Sequence, residues 1–389
     1  MEIIREDYLK MLASAKDMPS TAKILTGMRR TGKTTILKQY VDRLRTMGVN
    51  DDNIFHINLD LLVDVPDNSW LLEQIEPVLK KKGMHYILID EIQDVDGWER
   101  FVSMLIARDD CDIYITGSNS KMLSSELATK LSGRYIEINI LPLSFKEYLE
   151  LHPGDKEKRF DEYLRFGGLP MIDPDRGETV CADQSEGVFN TVMMKDILSR
   201  ISGNARRLTA ICRFLYSNIG NVTNADRISD ALKIPKDDVY KYMDEIVSAH
   251  LFYHADRYDI VGKKYLKSKG KYYAADLGMR YMTLNPGSLV DLSKPLENVV
   301  YFELLRRNYK VSVGSYMNSE IDFTAMKSKT AEYYQVSQTM MAEETYSREM
   351  RPLKAVSDNY EKTILTMDRF GLGNDNGINI VNVIDWLLE

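Results

Sequence analysis

The chain of 389 residues is long enough for two or three cores at about 150 residues each. Hydrophobic residues make up 44% and charged residues 28%, as in ordinary soluble globular proteins, and a net charge of -7 excludes a globally basic nucleic-acid binder while leaving local basic patches open. Cys111, Cys181 and Cys212 are odd in number and far apart, which excludes a disulfide framework and a paired-cysteine zinc site and points to reduced thiols. The opening MEIIREDYLK carries acids where a leader needs basic and apolar stretches, and no apolar run approaches the roughly 20 residues of a membrane span. The expectation is a soluble, cytoplasmic chain with no membrane partner.

In chain order, short β-rich runs alternate with helical patterns from Ala22 to about Leu141: KILTGM, NIFHINLD, HYILID, DIYITGS and YIEINIL. That alternation predicts a parallel α/β sheet, whose ligands bind beyond the carboxyl ends of the strands. From Pro142 to about Gly220 the pattern is helical, with a break at FGGLPMIDPDRGE where glycine and proline cluster. NADRISDALKIPKDDVYKYMDEIVSAHLF then predicts two helices about a tight turn, the second started by Pro235, before the hairpin-like GKKYLKSKGKYY. The last third predicts a helix at LENVVYFELLRR, strands KVSVGSY, EIDFTAMK and EYYQVSQT, a helix from about Ala342, and strands KTILTMD and GINIVNVID. These changes of pattern divide the chain into 1–141, 142–220, 221–285 and 286–389.

Gly27, Gly32, Lys33 and Thr34 stand at the spacing G-x-x-x-x-G-K-T between a strand and a helix. Glycines let backbone N–H groups close on phosphates, and the helix N-terminus adds about half a positive charge. Gly27, Thr31, Gly32, Lys33, Thr34 and Thr35 are the expected nucleotide contacts, with Lys33 reaching the β- and γ-phosphates and the Thr34 hydroxyl on Mg²⁺. Arg29 and Arg30, inside the loop, face phosphate, a partner or solvent. HYILIDEIQ ends in two acids: Asp90 is expected to hold Mg²⁺ through water, and Glu91 to polarise the attacking water. DIYITGSNS ends in the polar cluster Thr116, Ser118 and Asn119, the place of a γ-phosphate sensor, a catalytic role given to Asn119.

Together with GMRRTGKT and DEIQ, the segment TGSNSKMLSSELATKLSGRYIEINILPLSFKEYL resembles a family of bacterial and archaeal AAA-like P-loop ATPases with an uncharacterised carboxyl-terminal region, over nearly the whole chain. The resemblance implies ATP rather than GTP, an extra strand between the two nucleotide motifs, hydrolysis through Glu91, and an arginine finger at Arg134, just before the fifth strand. The carboxyl-terminal order of helix, three strands, helix and strand resembles the PD-(D/E)xK nuclease core. Active members gather an acid on the first helix, an aspartate on one strand, and a glutamate two residues before a lysine on the next. Here Glu297 matches the helix acid and Asp322 the aspartate, but Gln335 replaces the glutamate and Ser337 the lysine. Glutamine offers a hard cation no negative charge, and losing lysine's electrostatic support typically costs on the order of a hundredfold or more in rate. The resemblance thus implies a vestigial metal site at Glu297, Asp322 and Gln335 that does not cut. The fold class expected is α/β: a P-loop NTPase parallel sheet, a helical and winged-helix-like middle, and a restriction-endonuclease-like end.

Lys263, Lys264, Lys267, Lys269 and Lys271 would form a basic wing able to neutralise DNA phosphates. The helix before it carries Asp237, Asp238, Asp244 and Glu245 against Lys236 and Lys241, a poor fit to a groove lined with phosphates. Three loads for the ATPase follow: a DNA-associated, non-cutting module; a protein partner, with ATP as a switch in stress response or defence; or a metal nuclease with an atypical site. Self-assembly stays open. His250 and His254 are expected to straddle the end of that helix and form no metal pair.

Overall fold

The computed structural model describes residues 3–64, 66–118, 131, 133–284, 291–317 and 319–389, with the side chains of all but 267 and 268. The chain divides into two compact units, Met1–Ile140 with Ser248–His250, and Leu141–Val247 with Leu251–Glu389.

In the first unit, β1 (Ala22–Thr26), β2 (Ile54–Asn58), β3 (His85–Asp90), β4 (Cys111–Thr116) and β5 (Tyr135–Asn139) form one sheet in the order β2-β3-β4-β1-β5. Every pairing is parallel, so crossovers are needed, and the helices Lys33–Thr46, Asn68–Leu79 and Trp98–Ile106 supply those from β1 through β4. β4 lies between β1 and β3, the extra strand that the sequence anticipates. β1, β3 and β4 are buried along their whole length, which is why they read as unbroken apolar runs rather than alternating ones. On one face Leu9, Leu12, Ile36, Leu37, Tyr40 and Leu44 pack against Leu25 and Leu88. On the other, Leu71, Ile75, Phe101, Val102 and Leu105 pack against Ile24, Ile87, Ile89 and Ile113. Near the strand starts the buried Lys23 ammonium pairs with Asp112 and donates to the Met18 carbonyl at 3.0 Å. The other Asp112 oxygen accepts from the Asp17 N–H and the Tyr114 hydroxyl, both at 2.8 Å.

The second unit begins with helices at Phe145–Leu151, Lys156–Phe166, Glu178–Thr191 and Ala205–Ser217. After β6 (Val222–Thr223) come helices Ala225–Leu232 and Lys236–Ser248, then a hairpin of β7 (Phe252–Asp259) and β8 (Lys264–Ala274). Helices Leu277–Leu284 and Ser293–Arg306 lead to β9 (Lys310–Tyr316), β10 (Ser319–Lys327) and β11 (Thr330–Ser337). Helix Glu343–Ala355, β12 (Glu361–Thr366), β13 (Gly373–Asp375), β14 (Ile378–Asn382) and helix Val383–Leu388 complete it. One sheet runs through all of these strands, in the order β13-β14-β12-β11-β10-β9-β7-β8-β6. Its join is the parallel pairing of β7 with β9, while β7 and β8 are antiparallel. Apart from Ser248–His250, the stretches 142–220, 221–285 and 286–389 therefore lie in one unit. The two edge strands are only two and three residues long, which leaves little open edge for another chain to pair with.

One boundary differs from expectation. Helix Lys236–Ser248 ends before both histidines rather than between them, because His250 takes a left-handed φ of 55° and the Leu251 N–H returns to the Ile246 carbonyl at 3.1 Å. Among the described residues no helix is long and apolar enough to cross a membrane.

Candidate functional site

The glycine loop leaves the carboxyl end of β1, and its shape depends on particular residues. Gly27 has φ 138°, and a Cβ there would stand 2.3 Å from the Ile140 carbonyl oxygen, so only glycine lets the chain pass β5. Gly32, at φ 98°, opens helix Lys33–Thr46 without a side-chain cap and without an acid in the first turn. That end therefore presents backbone N–H groups and positive dipole to an anion. The buried Thr31 hydroxyl donates to the Met28 carbonyl at 2.9 Å and so staples the loop. Lys33 is buried, and its ammonium donates to the carbonyls of Gly27 at 3.0 Å and Met28 at 3.3 Å, 3.9 Å from Glu91. Thr34 and Thr35, half-buried, stand beside it in the first turn.

The two acids at the end of β3 are held by the neighbouring strand. The Thr116 hydroxyl, at the end of β4, donates to Asp90 Oδ1 and accepts the Glu91 N–H at 2.9 Å. Asp90 is fully buried, and its Oδ2 has no hydrogen-bond donor among the described residues. A buried carboxylate oxygen without a donor suits a hard cation that prefers oxygen, so Asp90 fits Mg²⁺. Glu91 turns out of the strand at a left-handed φ of 58°, and its Oε2 accepts from Gln93 at 2.8 Å. Burial pushes the Glu91 carboxyl up, partly opposed by the Lys33 ammonium.

Sequence reasoning missed two supports of this site and a buried histidine that feels the Lys33 charge. Thr116 read as part of a sensor, yet it fixes both acids. Arg5 is buried at 2% exposure and donates to the Thr31 carbonyl at 3.2 Å; no local signal marks it. His250 belongs to this unit, where burial and then the Lys33 charge hold its imidazole down at about 3.

Arg134, expected as an arginine finger, enters the sheet at the end away from the loop. Its carbonyl accepts the Ala22 N–H at 3.1 Å, at the entering ends of β1 and β5, and its side chain is exposed. The loop leaves the far end of β1, some 13 Å away at about 3.3 Å per residue, so Arg134 does not serve the loop of its own chain. Asn119 lies outside the described residues.

A second cluster forms in the other unit. Lys271, read as a wing lysine for DNA, is 1% exposed and lies inside the unit. Its register opposite Val222 and Ala255 fixes it between two neighbouring strands. Its ammonium sits 2.8 Å from Glu297, 3.0 Å from Glu320 and 3.3 Å from Asp322. Glu297 also accepts from the Tyr273 hydroxyl at 2.7 Å and from Lys294 at 2.9 Å. Gln335, the third member of the expected metal set, faces elsewhere: its carbonyl accepts the Asp322 N–H at 3.2 Å, and its amide donates to Glu349 at 2.8 Å. Burial opposes charge on all three ionised groups of the core cluster. The acids outweigh it at Lys271, whose amine is held well above lysine's ordinary value, and Lys271 with Lys294 outweighs it at Glu297, which stays low. At Asp322 burial and the nearby Glu297 win, raising it to about 6. Lys263, Lys264 and Lys269 are exposed on the hairpin, and the Lys267 side chain is outside the described set.

Residues 19–149 match the model of an AAA domain, and residues 157–288 match a domain of unknown function. An uncharacterized protein of Haemophilus influenzae is 38% identical over 100% of this chain and 99% of its own length. An uncharacterized protein of Methanocaldococcus jannaschii is 28% identical over 95% of this chain and 86% of its own. Among solved structures, the Aeropyrum pernix ORC1 protein in complex with DNA aligns at 14% identity and TM-score 0.31, covering 73% of this chain and 92% of that one. A likeness that distant bears on neither fold nor function.

Proposed function

We propose a function from one premise: the chain belongs to the same family as the uncharacterized Haemophilus influenzae protein, and its amino-terminal third is an AAA domain of the P-loop NTPase kind. The reading is a Mg²⁺-dependent ATPase whose hydrolysis drives a DNA-associated, non-cutting carboxyl-terminal half. The observation that carries it is the convergence of the uncapped helix end, Lys33, and the Thr116-held pair Asp90 and Glu91. Gly27, Gly32 and Thr35 shape the cradle, Lys33 neutralises the β- and γ-phosphates, and Thr34 and Asp90 would hold Mg²⁺, which supplies charge for the developing transition state. Glu91, with its basicity raised by burial, orients and polarises the attacking water. Arg134 acts, on this reading, only on the loop of a second copy.

Two features support DNA as the load. Helices Ala225–Leu232 and Lys236–Ser248, followed by the β7–β8 hairpin and β6 paired to β8, have the layout of a winged helix over 221–285. Lys263, Lys264 and Lys269 are exposed on its wing. The order from helix Ser293–Arg306 through β12, with β11 parallel to β12, supports a nuclease-like core over 286–389, after the helical connector 142–220. A protein load is favoured by one observation: two charges of the acidic helix are already engaged, Asp238 with Arg207 and Lys236 with Asp226, each at 2.5 Å. ATP turnover measured with and without duplex DNA at two salt concentrations separates the loads. DNA-stimulated turnover that falls with salt and vanishes in Lys33→Ala is expected. Unstimulated turnover, with partners captured by Glu91→Gln and not by Lys33→Ala, would replace DNA with a protein.

A further inference from the structure

Three carboxylates from two elements, Glu297 of helix Ser293–Arg306 and Glu320 and Asp322 of β10, converge on one point. In a metal nuclease that point holds a divalent cation; here it holds the Lys271 ammonium, delivered by a strand from the preceding hairpin. Of the three N–H donors of an ammonium, Lys271 gives one to Glu297 at 2.8 Å and one to Asp322 at 3.3 Å, and Glu320 stands at 3.0 Å as an ion pair. Glu297 and Asp322 are engaged on both oxygens, while Glu320 is partly exposed. Glu297 Oε1 accepts from Lys271 and Tyr273 and its Oε2 from Lys294, while Asp322 Oδ1 accepts from Lys271 and its Oδ2 from the Val336 N–H at 3.0 Å. A hard divalent cation needs about six oxygens, and the Gln335 carbonyl is turned to the Asp322 N–H while its amide goes to Glu349. The cluster does not fit a metal as it stands.

We infer that Lys271 is a built-in cation that takes the place of the divalent metal, so that this acid cluster excludes metal ions and is held together by the chain's own charge. The inference deepens the non-cutting part of the proposed function and rests on that nuclease-like reading; ATP turnover does not enter it. Lys271 is anchored by a backbone paired on both sides within the sheet and by a side chain that is buried among the acids.

The test is Mn²⁺ binding to the full chain without nucleotide, followed by the electron paramagnetic resonance of the free ion. The wild type is expected to show no binding that depends on Asp322. Lys271→Ala, which removes the ammonium and opens its space, is expected to gain about one Mn²⁺ per chain, lost again in Lys271→Ala/Asp322→Asn. Mn²⁺ should raise the melting temperature of Lys271→Ala and leave that of the wild type unchanged. Lys271→Gln, close to the native volume, guards against a simple cavity effect and should also be stabilised by the ion. Wild-type binding or DNA cutting with Mn²⁺ that is lost in Asp322→Asn would overturn the inference and restore the nuclease reading. So would Lys271 variants that fold without gaining a site, or that fail to fold even with Mn²⁺ present. Because no nucleotide is added, a failed DNA-stimulated turnover and a failed cation replacement are separate results.

Discussion

Thr116→Val keeps the shape of a fully buried side chain and removes only its hydroxyl. Two bonds go with it: the donor to Asp90 Oδ1 and the acceptor of the Glu91 N–H at 2.9 Å. A hydrogen bond to a charged group is worth about 1.5–3 kcal/mol, and stranding a buried N–H costs about 1–3 kcal/mol more. Allowing for relaxation, the first unit should lose about 3 kcal/mol, read as a lower denaturant midpoint with an unchanged slope. The loss should fall on turnover rather than on ATP affinity, because Thr116 holds the two acids and does not line the phosphate cradle. A displacement of about 1 Å at such groups costs on the order of a hundredfold in rate. Thr116→Ser retains the hydroxyl and should restore most of both properties. The reasoning is refuted if Thr116→Val matches the wild type in midpoint and turnover, or if Thr116→Ser is as impaired as Thr116→Val.

Other outcomes follow from the same geometry. Lys23→Met or Asp112→Asn alone leaves a charged or polar partner buried at 0% exposure and should cost about 3–5 kcal/mol in denaturation; Lys23→Met/Asp112→Leu should recover part of that, and strictly additive losses would count against the pair. Replacing exposed Lys263, Lys264 and Lys269 by alanine should weaken duplex binding and reduce its salt slope by about 2.7, at about 0.9 per phosphate contact, with DNA-free turnover unchanged; an unaltered slope removes the wing from the DNA surface. Asp276 is buried, and burial lifts it to about 6 despite N–H donors from Gly168, Gly278 and Met279. The folded chain holds that proton more tightly than the unfolded one, so the group's contribution to stability is full below the ordinary aspartate value and is lost as pH rises through 6. Carboxyl carbon resonances of Asp276 should titrate near 6, and a midpoint near 4 would contradict the burial argument.

What could be read from the sequence was local. The glycine spacing, the apolar runs and the acids at a strand end sit within a few residues of one another, and the carboxyl-terminal elements fall close to their expected limits because each carries its own period. Charge alone misled at Lys271. In a run of five lysines all looked like wing residues, whereas alternation sets Lys271 on the same face as the fully buried Tyr273, two positions on. That period-2 signal was present and went unused. For Arg134 the sequence carries a motif's place but not its end of the strand: a residue entering β5 starts at the edge opposite the loop, which leaves only the loop of a second copy within its role. Arg5 could not have been found, since its partner is a carbonyl 26 residues away and backbone acceptors carry no sequence mark.

The parallel seam of β7 with β9, where Arg257, Tyr258 and Asp259 stand opposite Val313, Gly314 and Ser315, limits how this half can be rearranged. Cut near residue 285, the hairpin would keep its turn and its lysines but show a row of unpaired N–H and C=O groups along β7, a template for pairing with any extended chain nearby. The wing is thus no detachable cassette. Length variation is tolerable at the hairpin tip, around the exposed Val261, while the seam itself admits no insertion without shifting Lys271 away from the acids that enclose it.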